Sequence, residues 1–196
     1  LSRMRNLDFY AGRTGNRLFQ LAYLYAETKR GNIPDWYLQD YRHFQEYADE
    51  IRNFFSEGIG YLEQVGVHVR RGGNPVNPAE PKYSENKFYV NLGETDYYEK
   101  AMALFPGKNF VIFSDDPEWC AGKFKGDNIQ VMERGDDIED LNLFASCESQ
   151  IIANSSWSFW GAFLNPNPAK KIVAPKNWYS DGNNERTVCP PEWIRL

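Results

Sequence analysis

Residues 65–73 read Val-Gly-Val-His-Val-Arg-Arg-Gly-Gly, and the fold turns on how that stretch is parsed. Valine at every second position, 65, 67 and 69, predicts a short buried strand. Two arginines and two glycines end it, and the Gly- and Pro-bearing stretch that follows to residue 94 reads as a long loop. From Thr95 a regular alternation begins. TDYYEKAMALF (95–105) opens on a Thr-Asp helix cap and stops before Pro106. NFVIF (109–113) is a strand, and Ser114-Asp115-Asp116-Pro117 after it predicts the cap of a helix over 117–123. A strand at 128–132, a helix at 137–147, a strand at 149–154, a helix at 155–164 and a strand at 171–175 complete the pattern βαβαβαβαβ. That pattern implies an α/β protein with a parallel, Rossmann-like sheet covered on both faces. Upstream, residues 4–10 suit a short strand, 17–30 a helix with apolar residues at 18, 21, 22 and 25, and 45–56 another helix.

The 196 residues are enough for a full core without staples, and 42% hydrophobic with 25% charged residues is ordinary for a globular chain. A net charge of −5 argues against a nucleic-acid binder. Cys120, Cys147 and Cys189 stand singly, which suits a reducing compartment better than a disulfide framework. With only two histidines, His43 and His68, no metal site is expected. No apolar run is long enough to span a membrane, and the opening LSRMRNLDFYAG lacks the apolar stretch of a signal peptide. The default expectation is a cytoplasmic protein, soluble or peripheral at a membrane.

In a parallel sheet, ligands bind beyond the carboxyl ends of the strands. That rule selects three loops: 68–74, 114–117 and 154–158. The first supplies His68, Arg70, Arg71 and Gly72; guanidinium forks match phosphate oxygens and stay charged. Adjacent arginines on a strand point to opposite faces, so only one of them can face a ligand. The plain alternative is a pair of surface ion pairs. The third loop, Asn154-Ser155-Ser156-Trp157-Ser158, opens a helix whose free N–H groups can hold an anion, or is a simple serine cap. In the second loop, Ser114, Asp115 and Asp116 can accept hydrogen bonds from a base or ribose, or cap the next helix. Gly12-Arg13-Thr14-Gly15-Asn16 is neither a GxGxxG fingerprint nor a P-loop. Trp157 with Trp160, and Tyr97 with Tyr98, read as core and rim.

Six blocks in order carry a resemblance: GRTGNRLFQLAYLYA (12–26), HVRRGG (68–73), FSDDPEW (113–119), IIANSSWSFWGAFLN (151–165), IVAPKNWY (172–179) and CPPEWIRL (189–196). Together they resemble the inverting alpha-1,2-fucosyltransferase family. The resemblance implies a two-lobed, GT-B-like glycosyltransferase. It divides the chain into a reduced acceptor-side lobe over 1–64 and a Rossmann-like lobe over 65–196 that binds GDP-fucose. It implies transfer of fucose to a glycan hydroxyl with inversion, and no metal or other cofactor. By position, Arg70 would stabilise the leaving diphosphate, Arg71 would support it, and His68 would face the nucleotide. Gly72 and the 154–158 turn, with Asn154, Ser155, Ser156 and Ser158, would line the phosphates. Ser114 with Asp115 or Asp116 would recognise guanine or ribose, and Arg13, Gly15 and Asn16 would complete the donor site. Two departures stand out. Gly73 replaces the family's Asp after HVRRG, and only residues 31–64 separate the opening block from the strand before HVRR. The general base is open among Glu80, Glu85 and Asp96, with Glu80 the leading candidate. The competing expectation is a non-catalytic GDP-sugar-binding remnant of the same fold.

Overall fold

The valine run extends backwards into strand β1, Leu62–Val69. Five strands follow: β2 Phe110–Ser114, β3 Ile129–Val131, β4 Cys147–Ile151, β5 Ile172–Ala174 and β6 Ile194–Arg195. The structure, a computed structural model, describes residues 18–23, 25–26, 41–72, 82, 84–85, 88–182 and 189–196. The expected strand at 4–10 lies outside them. The helices are α1 Ala48–Phe55, α2 Tyr97–Met102, α3 Pro117–Lys123, α4 Asp137–Ala145 and α5 Ser156–Leu164. Residues 18–23 and 25–26 are also helical. All strand pairs are parallel, in the order β3-β2-β1-β4-β5-β6. The alternation predicted an α/β parallel sheet, and the molecule has one.

Alternate residues feed two cores. Val65, Val67 and Val69 of β1, with Phe110 and Ile112 of β2, pack under Tyr97, Tyr98 and Ala101 of α2 and Cys120 of α3. Val111 and Phe113 point the other way, into a core roofed by α1, α4 and α5. Burial on both faces is what a parallel sheet requires. Leu18, Phe19, Phe44 and Ile51, all before residue 65, lie in that second core with Phe159, Trp160 and Phe163 of α5. No helix among the described residues is long and apolar enough to cross a membrane.

The elements differ from the expected ones mainly at their ends. Cys147 starts β4 rather than finishing a helix, and α2 stops at Met102 rather than 105. Strand β6 was not anticipated, being two residues long with no apolar alternation to betray it. Asp116 caps α3 by accepting from Trp119 N–H at 3.2 Å, with Pro117 just after it. Asp136 caps α4 through Ile138 and Glu139 N–H at 3.0 and 3.1 Å.

Phe144 of α4 is wedged between two glycines. A Cβ on Gly66 of β1 would stand 2.9 Å from its Cδ2, and one on Gly161 of α5 would stand 2.4 Å from its Cδ1. Gly161→Ala should therefore destabilise the protein by about 2 kcal/mol despite alanine's better helix propensity, lowering Tm by roughly 4–8 °C. A Cβ at Gly122 of α3 meets nothing, so Gly122→Ala should hold or raise Tm. Thermal unfolding of both variants checks the contrast.

Candidate functional site

The strand order changes direction between β1 and β4, which leaves a crevice at their carboxyl ends. Val67 is paired with Ile151, so Arg70 and Asn154 both follow the carboxyl ends of adjacent parallel strands. On the other side Val69 is paired with Ser114, which sets Arg70 beside Asp115. Arg70 Nη1 donates to Asp115 Oδ2 in an ion pair whose side chains are only 11% and 9% exposed. Asp115 Oδ1 accepts from the Arg71 N–H at 2.7 Å. Burial pushes the Asp115 carboxyl above the ordinary range, opposed by Arg70 and by the backbone N–H groups of Arg71, Asp115 and Gly72. Gly72 reaches this position with φ at 74°, a conformation that suits glycine. Ser114 Oγ donates to Val69 O at 2.8 Å and accepts from Asp116 N–H at 3.0 Å, tying the β2 loop to β1.

Arg71 turns to the opposite face, as adjacent strand residues must. Its guanidinium lies 3.9 Å from the Trp119 ring centroid, and its Nη1 donates to Asn91 Oδ1 at 3.1 Å. Gly93 makes room for this stack: a Cβ there would meet Arg71 Nη1 at 2.6 Å and Trp119 at 2.9 Å. Stacking on indole and an amide acceptor compensate a charge that has no carboxylate partner among the described residues. Neither Asn91, in an irregular loop, nor Trp119, in a helix, carried a sequence signal for this role.

His68 is 6% exposed and points towards α5, its ring 4.7 Å from Trp157 and 6.3 Å from Phe144. Burial, then the nearby Arg70 charge, lower its pKa to about 3, so the imidazole is neutral. Its Nδ1 is buried with no hydrogen-bond partner among the described residues. Trp157, read from sequence as core or rim, is thus the floor beneath His68. Tyr97 and Tyr98 are core as expected, and Tyr98 Oη donates to His68 O at 3.1 Å.

The 154–158 turn divides its duties. Asn154 Nδ2 donates to Val90 O at 2.9 Å and Trp178 O at 3.0 Å, stapling two loops to the sheet. Ser158 Oγ donates to Ala153 O at 3.3 Å and Ser155 O at 3.2 Å inside the core. Ser155 occupies the N-cap position of α5, but its side chain makes no capping bond. It stands half-buried with Ser156 at the first turn of the helix. The structure therefore brings together His68, Arg70, Arg71, Gly72, Ser114, Asp115 and the 154–158 turn at one edge. Asp116 serves as a helix cap there. Arg13, Gly15, Asn16, Gly73 and Glu80 lie outside the described residues. Glu85 is exposed in a turn, and Asp96 is exposed and paired with Lys100 at 2.7 Å. Among the described residues no group of three His, Cys, Asp or Glu side chains could hold a metal ion.

A family profile described as glycosyl transferase family 11 matches residues 23–196. The chain belongs to that family. It is 33% identical over 140 residues to the O-antigen biosynthesis glycosyltransferase WbnK of Escherichia coli, covering 67% of this chain and 44% of that protein. It is 29% identical over 183 residues to an alpha-1,2-colitosyltransferase of Escherichia coli, covering 81% of this chain and 60% of that one. It is 25% identical over 178 residues to galactoside 2-alpha-L-fucosyltransferase SEC1 of Bos taurus, covering 81% and 46%. The chain thus spans about half the length of these relatives of glycosyl transferase family 11. No solved structure matches it. The relationship to alpha-1,2-fucosyltransferases expected from the six blocks is confirmed.

The neutral His68 makes a testable statement about pH. Its folded pKa lies below that of an unfolded histidine, so the unfolded chain binds the extra proton and stability falls as pH drops from about 6.5 towards 3. Between pH 7 and pH 5 the loss from this residue should be about 2 kcal/mol. Urea unfolding at both pH values should show that His68→Gln removes that difference; an unchanged pH dependence would refute the buried neutral imidazole.

Proposed function

We propose that this chain binds the GDP-sugar donor of a transferase that moves fucose, or a related 6-deoxy sugar, onto a glycan hydroxyl in alpha-1,2 linkage with inversion. The observation that carries the reading is the buried Arg70–Asp115 pair, which holds a guanidinium at the carboxyl end of β1, the strand paired with the β4 that leads into α5. The names of the relatives support the sugar and the linkage.

As the glycosidic bond breaks, negative charge accumulates on the β-phosphate of the leaving GDP. Fixed donors aimed at that charge lower the barrier, and they cost nothing to reorganise at the moment of reaction. Arg70 supplies a fork whose direction Asp115 sets before the donor arrives. The N–H groups of α5 supply the second set. His68, neutral, walls the nucleotide side without adding repulsion to Arg70. The reaction as proposed needs no metal: Asp116 and Asp136 are engaged as caps and Asp115 in the arginine pair. Glu80 is the proposed base that takes the proton of the attacking hydroxyl. A second reading, a GDP-sugar binder that transfers nothing, is favoured by one observation: Gly73 stands where the family motif carries Asp.

A melting panel of GDP, GDP-fucose, GDP-mannose and UDP-sugars tests the site. Ligand at 100 times Kd stabilises by about 2.7 kcal/mol, so GDP compounds alone should raise Tm by roughly 5–10 °C. No selective shift would sink the donor reading. GDP release with a galactoside acceptor then separates transferase from binder.

Calorimetry should find GDP affinity reduced about 100-fold in Arg70→Ala, through loss of charge-assisted bonds, and about tenfold in Arg71→Ala. Chelator should leave both wild-type binding and transfer unchanged. Equal losses in the two variants, or a strict need for added divalent cation, would count against the assignment.

A further inference from the structure

The end of the sheet opposite the donor crevice carries a cavity of about 430 Å³, within the usual range for small-molecule sites. One wall is the turn that leads into β1, residues 58–62. The other is one face of α4, at Glu139, Asn142 and Leu143, with the C-cap Ser146 below it. The Leu62 N–H donates to Ser146 O at 2.7 Å and ties the two walls together. Gly58, with φ at 82°, and Gly60 leave the turn bare: a Cβ on either would meet nothing within 4 Å. About 23 Å of strand separates Leu62, at this cavity, from Val69, at the crevice. A ligand seated here is therefore not the group that reacts.

The lining decides what kind of ligand fits. Tyr61 lines the cavity and is 61% exposed, and among the described residues its ring meets no other ring. Ile59 and Leu143, which pack on the core behind them, supply apolar surface. Asn142 is half-buried; its main-chain carbonyl accepts from the Ser146 N–H at 2.9 Å, while its carboxamide bonds to no described residue. Glu139 adds a carboxylate to the rim. No lysine or arginine lines the cavity. Lys108, which stands close enough to influence Tyr61, is already paired with Glu148 at 2.6 Å. A phosphate or other anion would find a carboxylate and no cation. A neutral ligand with one apolar face and an edge of hydroxyls would find a partner for each.

We propose that this cavity is a second saccharide site, which takes a neutral pyranoside away from the reacting centre. The C–H bonds on the face of a pyranose carry slight positive charge and complement the negative face of the Tyr61 ring. The Asn142 carboxamide can accept from one hydroxyl and donate to the next, and the Glu139 carboxylate can accept from either. The site is open on its outer side, so further units of a longer glycan can remain in water. Held here, a glycan would present its other end to the crevice at raised local concentration, without any contact to the chemistry. That use, unlike the binding itself, rests on reading the protein as a transferase.

Amide NMR spectra of the full chain, titrated with methyl β-glucoside, methyl α-mannoside and methyl β-galactoside, locate the site directly. At least one glycoside should shift residues 58–62 and 139–146 with a Kd on the order of 1 mM. GDP should shift residues 68–72 and 114–116 instead, and inorganic phosphate should leave 58–62 unmoved. Tyr61→Ala should weaken glycoside binding about tenfold and Asn142→Ala about fivefold, while Tyr61→Phe keeps it. Gly60→Trp, which fills the cavity from a position with open space, should abolish glycoside binding at an unchanged Tm. The GDP shifts should persist in every variant. The proposal is overturned if no glycoside moves residues 58–62, if the shifts survive Gly60→Trp and Tyr61→Ala, or if phosphate binds there more tightly. If GDP causes no shifts while the glycoside shifts depend on Tyr61, the donor reading fails and this site stands. Transfer kinetics identify the source of the saccharide. A KM raised in Tyr61→Ala for a long glycan acceptor but not for a methyl glycoside assigns the site to the acceptor chain, and an unchanged KM for both assigns it to a free sugar.

Discussion

Phe144 has room for its ring only because Gly66 and Gly161 carry no side chains. That wedge fixes the distance of α4 and α5 from the central strand β1, and the site inherits its geometry from it. The same ring lies 5.4 Å from Trp157, which lies 4.7 Å from His68. A chain of contacts therefore runs from the middle of the sheet to the crevice, through groups that cannot shift independently in a close-packed interior. The N-terminus of α5 stands next to the end of β1 because this contact leaves the helix no other seat.

The charges at the edge are arranged to be tolerable without a ligand. Arg70 is neutralised by Asp115, Arg71 rests on Trp119 and Asn91, and His68 stays uncharged. A buried ion pair of this kind is seldom the most stable choice; well-packed apolar residues often do as well or better. Its value here is direction. Asp115, despite a carboxyl pushed upward by burial, is gripped by backbone N–H groups and can aim a guanidinium into the crevice.

The sheet was legible because parallel strands and their crossover helices impose a repeating period. The valines at 65, 67 and 69 and the Asp-Pro step at 116–117 each report a local requirement. What stayed hidden depends on partners distant in sequence. Gly66 and Gly161 look like ordinary glycines until Phe144 is placed between them. Asn91 and Trp119 acquire meaning only when the long loop brings Arg71 between them. The choice between Asp115 and Asp116 could not be made from spacing, since both precede a helix. Register separates their structural duties, by setting Asp115 beside Arg70 and leaving Asp116 to cap.

The opening block of the resemblance acquires a physical reason as well. Its apolar residues Leu18, Phe19, Ala22 and Ala26 are buried in the core that roofs one face of the sheet. Phe19 lies 4.7 Å from Phe159 and 5.2 Å from Trp160, and Phe44 stacks on Trp160 at 5.5 Å. These rings buttress the outer side of α5, whose inner side Phe144 clamps through Gly161. Helix α5, which follows the crevice end of β4, is thus held from both sides by segments a hundred or more residues apart. A motif far from the crevice in sequence can be indispensable to it: a helix dipole helps an anion only where its position is fixed.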